Sequence, residues 1–102
     1  MLHYNLAMSL QALGDVAGAL DALKTCAAEQ PADPTPRMAA ARICARTGRV
    51  PEMLDHLRGA RDRAEADVYE SMLQNAAFST QRPAIRAAGL NRGRPADPGG
   101  TP

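Results

Sequence analysis

The stretch 4–31 restricts the fold of this chain more than any other, because it has the pattern of two amphipathic helices joined by a tight turn. Leucines recur at helical spacing through its first half, and a second apolar stripe of the same period fills its second half. Between the stripes, Gly14 favours the left-handed turn that ends a helix, and Asp15 is placed to accept hydrogen bonds from the free amides of the next helix. Helices joined by so short a turn lie antiparallel, so the stretch predicts a helical hairpin.

The pattern recurs in the next part of the chain, where Gly48 lies 34 residues after Gly14. Four apolar positions of the second helix return at the same interval, as Val50, Leu54, Leu57 and Ala60. A helix from about residue 36 to 47 is followed by one with Pro51 in its first turn, where the missing amide proton of proline is not needed. The repeat predicts a second hairpin.

The repeat resembles the tetratricopeptide repeat, whose helix–turn–helix unit is 34 residues long. Signature positions of that family are matched in the first copy by Tyr4, Asn5, Leu6, Ala7, Leu10, Gly14, Asp15, Ala19, Leu20, Leu23, Cys26 and Pro31. The second copy fits at Ala40, Ala41, Cys44, Gly48, Leu57 and Ala60. It departs at Met53, where the family has a small residue, and at Glu65, where it has a proline. The resemblance covers about residues 1–65 and implies an all-α fold, an α-solenoid of antiparallel hairpins with repeats at about 1–33 and 34–65.

Beyond the repeats, the spacing predicts a fifth helix over about 66–80. Its apolar face is formed by Tyr69, Met72, Leu73, Ala76 and Ala77. Repeat arrays need a terminal helix that covers the last apolar surface, and we expect this segment to be that cap. Residues 1–88 then form one tetratricopeptide-like domain. Residues 89–102 are rich in Gly and Pro and carry one large apolar side chain, which predicts a disordered tail.

The charge and the apolar pattern make nucleic-acid and membrane partners unexpected. The net charge is +1, which gives no strong field to attract either. The arginines of 82–94 lack the interleaved aromatic residues of a nucleic-acid surface. No apolar run approaches the roughly 18 residues of a membrane span, and the first residues do not resemble a secretory signal. We therefore expect a cytoplasmic protein.

Residues able to do chemistry are few and scattered. His3, His56, Cys26 and Cys44 lack the short spacing that brings two metal ligands together, so no metal or cofactor is expected. The two cysteines fall on core positions and are predicted to be buried, reduced thiols. There is no nucleophile elbow and no glycine-rich phosphate loop, so we expect no enzyme active site in this chain.

The resemblance to tetratricopeptide repeats implies a binding groove, because in that family the first helix of each repeat lines a concave surface that holds a peptide or helix. The aligned groove positions are Tyr4, Met8 and Gln11 in the first repeat and Thr35, Met38, Arg42 and Arg46 in the second. Arg42 and Arg46 lie four residues apart, so both point the same way and could pair with carboxylates. This predicts a partner with an acidic and hydrophobic segment. The alternative is that both arginines are merely solvated.

The sequence leaves two hypotheses about function open. The first is a protein–protein interaction module, acting as an adaptor, scaffold or chaperone. The second is the recognition part of a larger transferase whose catalytic domain lies outside this chain, since such repeats often precede one. Leu2 and Leu13 point to where an earlier repeat would pack. They predict either self-association through the first helix or a longer array.

Overall fold

A computed structural model describes residues 2–95, apart from the side chain of Leu2. The described residues form six α-helices and one 3-10 helix and contain no strand, which confirms the all-α prediction. The α-helices are α1 (Leu2–Ala12), α2 (Val16–Glu29), α3 (Thr35–Arg46), α4 (Val50–Arg63), α5 (Ala66–Met72) and α6 (Arg82–Ala87). The 3-10 helix spans Ala76–Gln81. No helix in this part of the chain combines the length and apolarity that crossing a membrane requires.

Glycines with positive φ end both α1 and α3, as the sequence predicts. The φ angle is 84° at Gly14 and 74° at Gly48, a region that costs little only for a residue without a Cβ. The carboxylate of Asp15 accepts a hydrogen bond from the amide of Gly18 at 2.9 Å and caps α2. The first turn is therefore fixed by the residues that the hairpin pattern singles out.

The buried side chains form two clusters that meet at α3. The N-terminal cluster contains Ala7, Ala19, Ala22, Leu23, Ala39, Ala40 and Ile43. The C-terminal cluster contains Met38, Ala41, Cys44, Ala45, Met53, Leu57, Ala60, Ala64, Tyr69, Leu73, Phe78, Ile85 and Leu90. Since α3 supplies residues to both, it is packed on two sides and lies at the centre of the molecule.

The segment predicted as one capping helix over 66–80 is broken in the structure, which corrects that prediction. The α-helix ends at Met72, and the side chain of Asn75 accepts a hydrogen bond from the amide of Ala77 at 2.9 Å to start the 3-10 helix. Phe78 lies nine residues after Tyr69, so one continuous helix would place the two about 180° apart. The break allows both aromatic rings to be fully buried in the C-terminal cluster.

The chain after α6 lies against α5 and the end of α4. The hydroxyl of Tyr69 donates a hydrogen bond to the carbonyl of Leu90 at 2.6 Å, and the Leu90 side chain is buried. The amide of Gly93 donates to the carboxylate of Glu70 at 2.8 Å. The guanidinium of Arg61 donates to a carbonyl of the same segment. Backbone groups thus hold this segment in place.

These contacts correct the prediction that the tail is disordered from residue 89. The correction applies to residues 89–95, and the rest of the predicted tail, 96–102, lies outside the described residues. A Cβ at Gly93 would lie 2.4 Å from the Cα of Ala66, so the chain approaches α5 closely where it has no side chain. Composition gave the wrong expectation because main-chain hydrogen bonds, rather than apolar side chains, anchor most of this segment.

Candidate functional site

Helix α3 leaves one narrow polar face uncovered. Its buried residues are Pro36, Met38, Ala39, Ala40, Ala41, Ile43, Cys44 and Ala45. Of the rest, Thr35, Arg42 and Arg46 share one side of the helix, because their spacing of seven and four residues keeps them within about 40° of each other. Arg37 lies roughly opposite this side. The predicted groove residues Thr35, Arg42 and Arg46 therefore form the one polar surface that α3 offers on this side.

The two arginines on this face keep their charge uncompensated within the described residues. Neither Arg42 nor Arg46 makes an ion pair or side-chain hydrogen bond there, and α3 contains no carboxylate. Arg42 is partly buried and Arg46 is exposed. Arg46 also lines a hollow of about 330 Å³ between α3 and the 3-10 helix, walled mostly by small residues. Both guanidinium groups are free to bind an external acid.

On α1, the predicted residues Tyr4, Met8 and Gln11 share one side and are all partly buried. Tyr4 and Met8 pack against the N-terminal cluster, to which α3 contributes Ala39 and Ile43. We call the set Tyr4, Met8, Gln11, Thr35, Arg42 and Arg46 the groove face. It combines adaptable apolar side chains on α1 with two cations on α3.

Met38 does not belong to this set, although the alignment places it there. Its side chain has no exposed surface and lies in the C-terminal cluster with Met53 and Leu57. A residue at the edge of the exposed face is covered when neighbouring helices pack closely against α3. Met38 is therefore not accessible to a partner, which corrects its place among the predicted groove residues.

A second polar site was missed by the sequence analysis. Lys24 from α2, Arg37 from α3 and His56 from α4 line a cavity of about 240 Å³ between the three helices. The Nη1 atom of Arg37 is buried and has no hydrogen-bond partner among the described residues. Burial and the nearby charge of Arg63 lower the pKa of Arg37, and burial is the main cause that lowers the pKa of His56.

The signal for this cleft was weak in the sequence, because its polar residues come from three helices. One hint is Gly59 in the middle of α4, where glycine is unfavourable for a helix. A Cβ there would lie 2.6 Å from the Cδ of Arg37, so the missing side chain makes room for the arginine. Only the packed structure shows that room.

The remaining candidates for chemistry are buried or dispersed. Cys26 and Cys44 are free and buried, as predicted. Burial raises the pKa of Cys44 to about 11, so its thiol stays protonated at neutral pH and is a poor nucleophile. Within residues 2–95, no three His, Cys, Asp or Glu side chains cluster in a way that could hold a metal ion.

On α1, apolar side chains also remain exposed away from the groove face. Leu6 is 49% exposed and lies on the side of α1 opposite the groove residues. Leu13, which follows the last residue of α1, is 82% exposed. Leu13 is one of the two leucines predicted to face an earlier repeat or another copy. Its exposure is compatible with either arrangement.

The chain matches no family model, no curated protein and no solved structure. The resemblance to tetratricopeptide repeats therefore rests on the residues of this chain.

Proposed function

We propose that this chain is a tetratricopeptide-like α-solenoid of two repeats that binds an acidic and hydrophobic segment of a partner protein along its groove face. The observation that carries the proposal is the partly exposed side of α3, where Arg42 and Arg46 have no counter-charge among the described residues. Every neighbouring position of that helix is buried. A partner along this side would meet both arginines.

The chemistry of the face favours a carboxylate-bearing peptide. A guanidinium binds a carboxylate through two parallel hydrogen bonds, and these charge-assisted bonds are about twice as strong as neutral ones. Tyr4 presents a ring with a polar tip, and Met8 is flexible enough to fit different apolar side chains. Binding of this kind needs no catalytic group, and the proposed role is that of an adaptor, scaffold or chaperone.

The test begins with selection of peptides from a random library displayed on phage, using the purified full chain as bait. We expect the selected peptides to be enriched in Asp or Glu next to apolar residues. A synthetic copy of the most enriched peptide then gives a dissociation constant by fluorescence polarisation. The double variant R42E/R46E is expected to weaken its affinity by about 30-fold or more and to reduce its salt dependence.

The matched control is R86E, a charge reversal at an exposed arginine of α6, which should leave the affinity within about twofold. Selected peptides without acidic residues would contradict the proposed partner chemistry. Equal affinities for R42E/R46E and the unmodified chain would show that binding takes place elsewhere.

A further inference from the structure

The cleft between α2, α3 and α4 has the size of a site for a small molecule. Its cavity of about 240 Å³ is slightly smaller than most pockets for drug-sized ligands, which fits a ligand of roughly ten heavy atoms. Leu23, Ala27 and Pro36 supply apolar walls, and Lys24, Arg37 and His56 supply the charged or polar ones. No carboxylate lines this cavity.

The charges around Arg37 are unbalanced. Its Nη1 atom is buried without a partner, an arrangement that is uncommon in proteins and that calls for a bound group or water. The nearby Arg63 does not relieve this, because it donates to the carbonyls of Gly59 and Pro31 and adds positive charge of its own. An anion in the cavity would neutralise a guanidinium that the protein itself leaves unpaired.

The surroundings also restrict where that anion lies. A neighbouring hollow shares Lys24 and His56 with the cavity, and Arg49, Asp21 and Glu52 line it too. Its two carboxylates offset the charges of Lys24 and Arg49, whereas no carboxylate in the cavity offsets Arg37, so negative charge is favoured beside Arg37. A ligand with a single acidic head and a short apolar body fits this distribution better than a molecule with acids at both ends.

We propose that this cleft binds a small organic anion, whose carboxylate or phosphate pairs with Arg37 and Lys24 and whose apolar body packs on Leu23, Ala27 and Pro36. The site shares no residue with the groove face. The proposal for this cleft therefore does not depend on peptide binding, and its test does not involve the peptide.

The experiment titrates the full chain with four probes: phenyl phosphate, phenylacetate, inorganic phosphate and benzyl alcohol. Backbone amide shifts in NMR spectra report where each probe binds. We expect saturable shifts at residues 23–28, 37–40 and 56 for phenyl phosphate and phenylacetate. Inorganic phosphate lacks the apolar body and benzyl alcohol lacks the charge, so each should bind at least about tenfold more weakly than phenyl phosphate.

The variant R37M keeps an unbranched apolar stem and removes the charged guanidinium. It should weaken binding of phenyl phosphate by about tenfold or more, while R86M leaves it unchanged. Because the unpaired charge is unfavourable in the free protein, R37M should also raise the melting temperature without ligand. A merely structural arginine would instead lower that temperature when replaced.

Three results would overturn the proposal. One is the absence of saturable shifts from either organic anion up to about 10 mM. Another is equal binding of benzyl alcohol and phenyl phosphate, which would show a nonspecific apolar pocket. The third is a folded R37M or K24M protein with unchanged affinity for phenyl phosphate.

Discussion

Tyr69 connects the segment after α6 to the core through one buried polar group. Its ring is fully buried, and its hydroxyl donates to the carbonyl of Leu90. Burial raises the pKa of Tyr69 to about 12, and the charge of Arg61 opposes this only in part. The phenol therefore stays protonated in the folded protein at pH values where it ionises in the unfolded chain.

We expect Tyr69 to make the protein sensitive to alkali. Its contribution to the free energy of unfolding is complete below pH 10, the ordinary tyrosine value, and is lost as the pH rises toward 12. The Y69F variant should be less stable by about 1 kcal/mol at pH 7, because the Leu90 carbonyl loses its donor. Urea unfolding of both proteins between pH 7 and 11 measures these effects, and the difference in stability should shrink above pH 10.

Cys44 also titrates in this range, since burial raises its pKa to about 11. The test therefore compares the stabilities of two proteins at each pH, because the pH dependence of one protein alone would include the effect of Cys44. Y4F is the control, because Tyr4 is partly exposed and its hydroxyl makes no hydrogen bond among the described residues. It should fall in stability with pH in parallel with the unmodified chain. A constant difference between Y69F and the unmodified chain up to pH 11 would contradict this role of Tyr69.

At the scale of helices, α5 and the 3-10 helix are separated because Tyr69 and Phe78, two large residues, would lie on opposite sides of one continuous helix. Tyr69 and Phe78 cannot face the same core from one straight helix, because nine residues separate them. Fully burying a Phe side chain contributes about 1.5–3 kcal/mol. The break leaves the amides of Gln74, Asn75 and Phe78 paired, because each donates to the carbonyl three residues earlier. The chain therefore bends and buries both.

We expect F78A to destabilise the protein by about 3–5 kcal/mol, because it removes a fully buried ring from the C-terminal cluster. V68A is the matched control, since Val68 on α5 is 41% exposed and its truncation should change the free energy of unfolding by about 0.5 kcal/mol or less. Chemical denaturation of both variants gives the comparison. Similar small effects for the two would indicate a continuous helix with Phe78 exposed.

At the scale of the whole molecule, the central position of α3 joins the two halves into one unit. Ala39 and Ile43 belong to the N-terminal cluster, whereas Met38 and Cys44 belong to the C-terminal one. Loss of either cluster removes the packing from one side of α3 and so weakens the other.

This coupling predicts one unfolding transition. L23A in the N-terminal cluster and L57A in the C-terminal cluster should each cost about 2–5 kcal/mol. In urea, NMR signals from Ala19 and Leu73 should disappear at the same midpoint in each variant, because the clusters unfold together. If L57A lowers the midpoint for Leu73 and leaves that for Ala19 unchanged, the two hairpins are independent.

The sequence alone determined the local features of this protein. Apolar spacing predicted four helices close to the observed bounds, and Gly14, Asp15 and Gly48 marked the turns that the structure contains. These features were predictable because helix period, left-handed glycines and caps depend on residues within about four positions of each other.

Only the tertiary structure decided which surfaces are covered and which side chains of different helices contact each other. It buried Met38, divided the predicted capping helix so that Phe78 reaches the core, and held residues 90–93 on α5 through hydrogen bonds between side chains of α5 and main-chain groups of that segment. It also brought Lys24, Arg37 and His56 together around one cavity. These outcomes depend on the distances between helices that are far apart in sequence. Those distances are set by how side chains of different size pack, and helical periodicity carries no information about them.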